Sequence, residues 1–185
     1  MPAKKQIPKE TILTASLNLL REGGMDAVNI KKIVKRLGCS TQPIYLSFSG
    51  MDELREETAK AAQNFFLQFL QSDSGEFPCL YGLRYIRFAK EESRLFQYLF
   101  MRQNAYEEMK SSLLPIMEHA IHILMEQHNI GYEDGHRFHD ELWVYAHGIA
   151  AMIATDYCVW DMDTVKIMLD DCKVHLGKKY GGQRS

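Results

Sequence analysis

Apolar residues recur at intervals of three and four through nearly the whole chain, and no stretch sustains the alternation of a half-buried strand. That periodicity predicts an all-α protein. Over residues 9–22, Ile12, Ala15 and Leu19 make one apolar row and Leu13, Leu17 and Leu20 another, a wide face for burial. Gly23 and Gly24 then end the helix. Asn29 can cap a second helix, in which Ile30, Ile33, Val34 and Leu37 fall at offsets 0, 3, 4 and 7 and leave Lys31, Lys32, Lys35 and Arg36 outward. Gly38, Cys39 and Ser40 form a three-residue turn. Ser40 is predicted to cap a third, short helix through Ser47, with Pro43 in its first turn, where a missing N–H costs nothing. Ile44 and Phe48 face inward, so Thr41, Gln42, Pro43 and Tyr45 project from the exposed N-terminal end.

A long helix is predicted from Met51 to Gln71, with Leu54, Thr58, Ala61, Phe65 and Phe69 on one stripe and Ala62, Phe66 and Leu70 beside it. Ser72 to Gly75 should break it. Further helices are predicted over 78–92, 94–102, 105–129, 133–158 and 163–179, the third of these kinked at Pro115, and the chain end from Gly181 should fray. The predicted division is a three-helix domain over residues 1–50 and a larger helical domain over 51–185. The longest uncharged apolar run, Leu142 to Thr155, is too short to cross a bilayer of about 30 Å as a helix.

Charge adds an asymmetry. The whole chain carries a formal net charge of -2, yet residues 1–50 hold eight basic groups against three acidic ones, a net of +5 that leaves the remainder at -7. A basic head on an acidic body suits a polyanionic partner met head first. Cys39, Cys79, Cys158 and Cys172 are far apart, with no Cys-x-x-Cys pair, and read as reduced structural thiols. Met1 to Lys5 lead into polar residues and not into an apolar secretory core, so the expected location is cytoplasmic, with no membrane partner.

Two short helices joined by a Gly-containing turn, the second offering polar residues at its N-terminus, are what entry into a DNA major groove requires. The string Ile12-Leu13, Ala15, Leu19-Leu20, Gly23-Gly24, Ile30, Ile33, Leu37-Gly38, Ser40, Ile44-Tyr45, Phe48 and Asp52-Glu53-Leu54 resembles the TetR family of repressors, over roughly Lys9 to Leu54. The resemblance implies that the helix starting at Thr41 is the recognition helix, that Tyr45 contacts a phosphate, and that Asn29 with Lys31 touches the neighbouring strand. Side-chain chemistry permits these roles: Gln42 can pair bidentately with adenine, Thr41 and the Pro43 ring can meet a thymine methyl, and lysines neutralise phosphates. The candidate DNA-binding set is Asn29, Lys31, Ser40, Thr41, Gln42, Pro43 and Tyr45. The chain departs from the family at Met51, where a lysine often reaches a phosphate, at Lys32, where an acidic residue usually completes the capping box, and at Val34, where alanine is frequent.

The same resemblance implies a dimer on a palindromic DNA operator, a repressor role, and a cavity for a small, largely apolar effector in the larger domain. Phe66, Phe69, Tyr85, Phe88, Met101, Tyr106 and Trp143 are the candidate lining among its many aromatic and methionine residues. For the dimer, the small-residue row Ala146, Ala150 and Ala154, with Gly148 and Ala151, is expected to meet a stripe of Val165, Met168, Leu169, Cys172 and Leu176. No cofactor is expected, and the chain does not read as an enzyme: it has no Gly-rich phosphate loop, no Gly-x-Ser-x-Gly elbow and no recognisable acid-base carboxylate pair. The alternative is a helical metal- or cofactor-binding protein or enzyme using His119, His122, His136 and His139, whose spacing puts each pair on one helix face.

Overall fold

The computed structural model describes residues 7–71 and 79–181, with side chains in the second stretch from residue 81 onward. The expected break at Ser72 to Gly75, the helix start at Pro78, the side chain of Cys79, the N-terminal Met1 to Lys5 and the chain end after Gly181 lie outside the described residues. Among the described residues there are nine α-helices, one 3-10 turn and no strand. The chain divides into two compact units, residues 1–68 and 69–185.

In the first unit, α1 (Lys9–Gly23) buries Ile12, Ala15, Leu19 and Leu20, the inner half of its wide apolar face. A 3-10 turn (Met25–Ala27) follows, not foreseen by the periodicity because three residues carry none. Next come α2 (Ile30–Leu37) and α3 (Gln42–Ser47), both packed on α1. Gly38 closes α2 in the left-handed conformation, φ 61°, which glycine adopts without strain, and its N–H donates to the Val34 carbonyl. The third helix starts one residue later than predicted: its cap position is Thr41 and not Ser40, and the Thr41 side chain makes no cap bond. Instead the Thr41 carbonyl accepts from the Ile44 N–H at 3.1 Å.

The long helix α4 (Met51–Gln71) has the predicted bounds, but its buried line is Leu54, Thr58, Ala62, Phe66 and Leu70, with Ala61, Phe65 and Phe69 only half-buried. The core therefore selects the strict four-residue row. Thr58 belongs there because its hydroxyl donates back to the Leu54 carbonyl at 2.6 Å.

The second unit holds α5 (Cys79–Glu91), α6 (Ser93–Phe100), α7 (Ala105–His128), α8 (Tyr132–Ala154) and α9 (Met162–Gly181). Helix α7 continues through Pro115. Helix α8 is the hub, packed on α5, α6, α7 and α9. Gly135 of α8 lets α7 come close, since a Cβ there would sit 2.7 Å from Cγ of Met125.

The small-residue row turns inward. Ala146, Ala150 and Ala154 are buried within the protomer, and a Cβ on Gly82 of α5 would lie 3.9 Å from the Ala146 Cβ and 3.7 Å from Leu169 Cδ1. Val165, Leu169 and Leu176 are likewise buried, with Met168, Cys172, Gly148 and Ala151 half-buried, so most of the row and stripe expected at a dimer interface lies in the core of a single chain. What α8 and α9 leave exposed is a different apolar set: Val144 at 61%, Tyr145 and Met152 on α8, and Ile167 at 62% and Val174 on α9. Gly148 shares the α8 face, and a Cβ there would meet nothing within 4 Å.

Candidate functional site

The α2–turn–α3 segment is braced from three sides of the first unit. Asn29 caps α2, its side-chain oxygen accepting from the Lys32 N–H at 3.0 Å, while its amide donates to the carbonyls of Asp26 and Ala27 at 3.4 Å each. Lys32 cannot return a bond to the Asn29 N–H as an acid would, which is the local consequence of that departure from the capping box. Arg36 turns back to Glu22 at 2.5 Å, tying α2 to the end of α1 and holding the Glu22 carboxyl below its ordinary range. Lys31, Lys32 and Lys35 remain exposed on α2.

Helix α3 is anchored by Ile44 and Phe48, both buried. Lys9 lies 4.7 Å above the Phe48 ring and 3.6 Å from the Glu53 carboxylate, and that carboxylate accepts from the Ser49 N–H at 2.6 Å. The Ser49 hydrogen bonds, and secondarily Lys9, hold Glu53 below the usual carboxylate range. So the start of α4 fixes the end of α3. The outward residues are Ser40, Thr41 and Gln42 at the N-terminal end, with Pro43 half-buried, and then Tyr45 at 58% and Leu46 at 75% exposure. Of the candidate DNA-binding residues, those from Ser40 to Tyr45 lie on the turn and α3, Lys31 is exposed on α2 and Asn29 is its cap.

Leu46 went unnoticed in the sequence, where it reads as one more apolar residue of a hydrophobic cluster. The signal was available: at about 100° per residue it stands nearly opposite Ile44.

The expected effector residues are only partly assembled. Phe66 is buried within the first unit. In the second, Phe69 and Phe88 meet edge to face at 5.2 Å. Tyr85 sits at the centre of a separate aromatic group, 5.2 Å from Phe96, 5.1 Å from Phe100 and hydrogen-bonded at 2.8 Å to Nδ1 of His147. His147 stacks on Trp143 at 5.4 Å, and Trp143 meets Tyr106 at 6.1 Å. Tyr106 and Trp143 are exposed, as is Met101 at the end of α6. His147 is the member of this group that sequence reasoning missed. It lies one turn after Trp143 on α8, a spacing that could have found it.

The four histidines weighed for metal binding do not converge. His119 and His122 are exposed on α7; His136 Nε2 is 3.9 Å from Glu118 and His139 Nδ1 3.5 Å from Asp140. Among the described residues no three His, Cys, Asp or Glu side chains are placed to hold one metal ion. Among the described residues, too, no helix is long and apolar enough to cross a membrane.

Residues 12–58 match the family described as bacterial regulatory proteins, tetR family. No curated protein matches the chain. Among solved structures, a transcriptional regulator from Rhodococcus sp. RHA1 is similar with a TM-score of 0.70 at 16% identity, over 95% of this chain and 98% of that one. A TetR-like transcriptional regulator from Rhodococcus sp. RHA1 gives 0.66 at 16% identity, over 92% and 96%. A point variant of TetR from Acinetobacter baumannii AYE, in complex with minocycline, gives 0.54 at 19% identity, over 94% and 98%. The fold is that of solved transcriptional regulators, and its first unit carries a braced helix-turn-helix over α2 and α3. Residues 12–58 are thus similar to the N-terminal domain of the TetR family, and the chain as a whole shares the fold of TetR-like regulators.

Proposed function

We propose that the protein is a homodimeric repressor that binds a palindromic operator through α3 and is controlled by a small, largely apolar effector held in the larger helical domain. The observation that carries the DNA half is the exposed strip from Ser40 to Leu46, fixed from behind by Ile44 and Phe48 and preceded along the chain by the exposed Lys31, Lys32 and Lys35 of α2. In this reading Gln42 reads a base edge, Thr41 and Pro43 meet the groove wall, and Tyr45, Ser40 and Lys31 contact phosphate, with the Asn29 cap setting where Lys31 stands. Residues 1–50 form the DNA-binding domain and 51–185 the effector and dimerisation domain. The protein works in the cytoplasm and is not an enzyme.

For the dimer, we assign the contact to the exposed face of Val144, Gly148 and Met152 with Ile167 and Val174, since the small-residue row is already used inside the protomer. For the effector, support comes from the Tyr85, His147 and Trp143 group, which offers apolar faces beside a single polar pair. The Acinetobacter neighbour holds minocycline, which makes a planar organic molecule a reasonable class to screen. Effector occupancy acts by favouring one spacing of the two α3 helices over another.

Selection of duplexes from a random-sequence pool by the purified protein tests this. Enrichment of an inverted repeat, bound by two protomers, is the expected result. Recovery of unenriched sequence overturns the repressor reading.

A further inference from the structure

Leu46 is the most exposed side chain of α3 among its large apolar residues, at 75%, and it is one full turn beyond Gln42, which is also exposed. With Ile44 buried, the helical wheel sets Gln42 and Leu46 about 40° apart, centred on the direction opposite Ile44. These two residues, and no others of the six in α3, form the outermost line of the helix. Tyr45 lies to one side and Pro43 to the other.

An isolated exposed leucine is ordinary on a protein surface. This one stands at the crest of a helix too short to bury anything but Ile44, beside a glutamine, on the helix that follows α2 and its exposed lysines. A polyanion-facing surface gains nothing from a leucine unless its target presents an apolar group. In the major groove the base edges present mainly donors and acceptors, and the apolar group among them is the C5 methyl of thymine.

We propose that Leu46 is a specificity residue that reads a thymine methyl, alongside the adenine read by Gln42. The inference rests on the DNA-binding reading of α3 given above. A rise of about 1.5 Å per residue puts Leu46 about 6 Å along the helix from Gln42. Bases on one strand are about 3.4 Å apart, so the thymine lies within about two base pairs of that adenine in each half-site. Desolvating one methyl against a leucine corresponds to about a fourfold affinity difference, and about fifteenfold when both half-sites change.

The test uses the duplex selected by the protein itself, with each thymine replaced in turn by deoxyuridine, which removes only the methyl. The expected result is one symmetric position, within two base pairs of the adenine whose substitution Gln42→Ala no longer senses, where deoxyuridine weakens wild-type binding about fifteenfold. In Leu46→Ala the same deoxyuridine changes nothing, and Leu46→Met restores the sensitivity. Equal melting temperatures for the variants verify that folding is intact. If no deoxyuridine position matters to the wild type, or its effect survives unchanged in Leu46→Ala, the methyl reading is overturned while DNA binding stands. If no duplex is selected at all, both fall.

Discussion

Tyr85 on α5 and His147 on α8 share a 2.8 Å hydrogen bond, phenol oxygen to Nδ1, inside an aromatic group of the second unit. Burial pushes the phenol far above its ordinary range and the imidazole below its own, so both partners are neutral at physiological pH. A phenol is the stronger donor, which assigns the proton to Tyr85 and the Nε2–H tautomer to His147.

Tyr85→Phe deletes that donor and keeps the ring contacts to Phe96 and Phe100. His147 is only half-buried and can turn to solvent, so the cost falls at the low end for a lost hydrogen bond, about 1 kcal/mol. Urea unfolding measures it. A variant as stable as the wild type, or more so, contradicts the assigned bond.

Three histidines of the second unit, His128, His139 and His147, are held below their ordinary value, each chiefly by burial. His128 also feels Lys173, whereas Asp140 and Glu118 partly offset the shift of His139. Because the unfolded chain takes up these protons near pH 6.5 and the folded chain resists them, their stabilising effect is complete above that pH and declines as pH falls through it. Glu22, Glu53, Glu108 and Glu141 have lowered values and titrate below the carboxylate range near 4.5, so the window from pH 7.5 to 5.5 reports on the histidines. The melting temperature should drop across that window. A flat or rising profile counts against buried neutral imidazoles.

How much could be seen in the sequence differs by element. Helices α1, α2 and α4 were legible because their apolar spacing and end residues agree, Asn29 and Gly38 above all. The four-residue burial line of α4 was not, since Phe65 and Phe66 are equally apolar and only packing chooses between them. The row of Ala146, Ala150 and Ala154 correctly signalled close helix approach but could not say to which helix; Gly82 of α5 supplies the answer. On α3, Gln42 and Tyr45 were readable from chemistry and resemblance, whereas Leu46, although nearly opposite the inward Ile44, was masked by its apolar character, which reads as core.

The revised dimer face makes its own prediction. Val144→Glu together with Ile167→Glu puts like charges on a proposed apolar two-fold contact without touching the protomer core, as both are exposed. Light scattering at micromolar concentration should show a dimer for the wild type and a monomer for the double variant, with the helical content unchanged. A double variant that remains dimeric moves the interface elsewhere.

The central claim, that α3 reads sequence while α2 grips the backbone, is tested most directly by equilibrium binding of wild type, Gln42→Ala and Lys31→Ala to the selected duplex and to random duplex across a salt series. Gln42→Ala should lose roughly 1–3 kcal/mol per bidentate contact on the selected site and almost nothing on random DNA. Lys31→Ala should weaken both alike and, with about two phosphate contacts removed per dimer, flatten the slope of log affinity against log salt by nearly two. Equal losses on both duplexes for both variants, or binding unaltered in either, would contradict it.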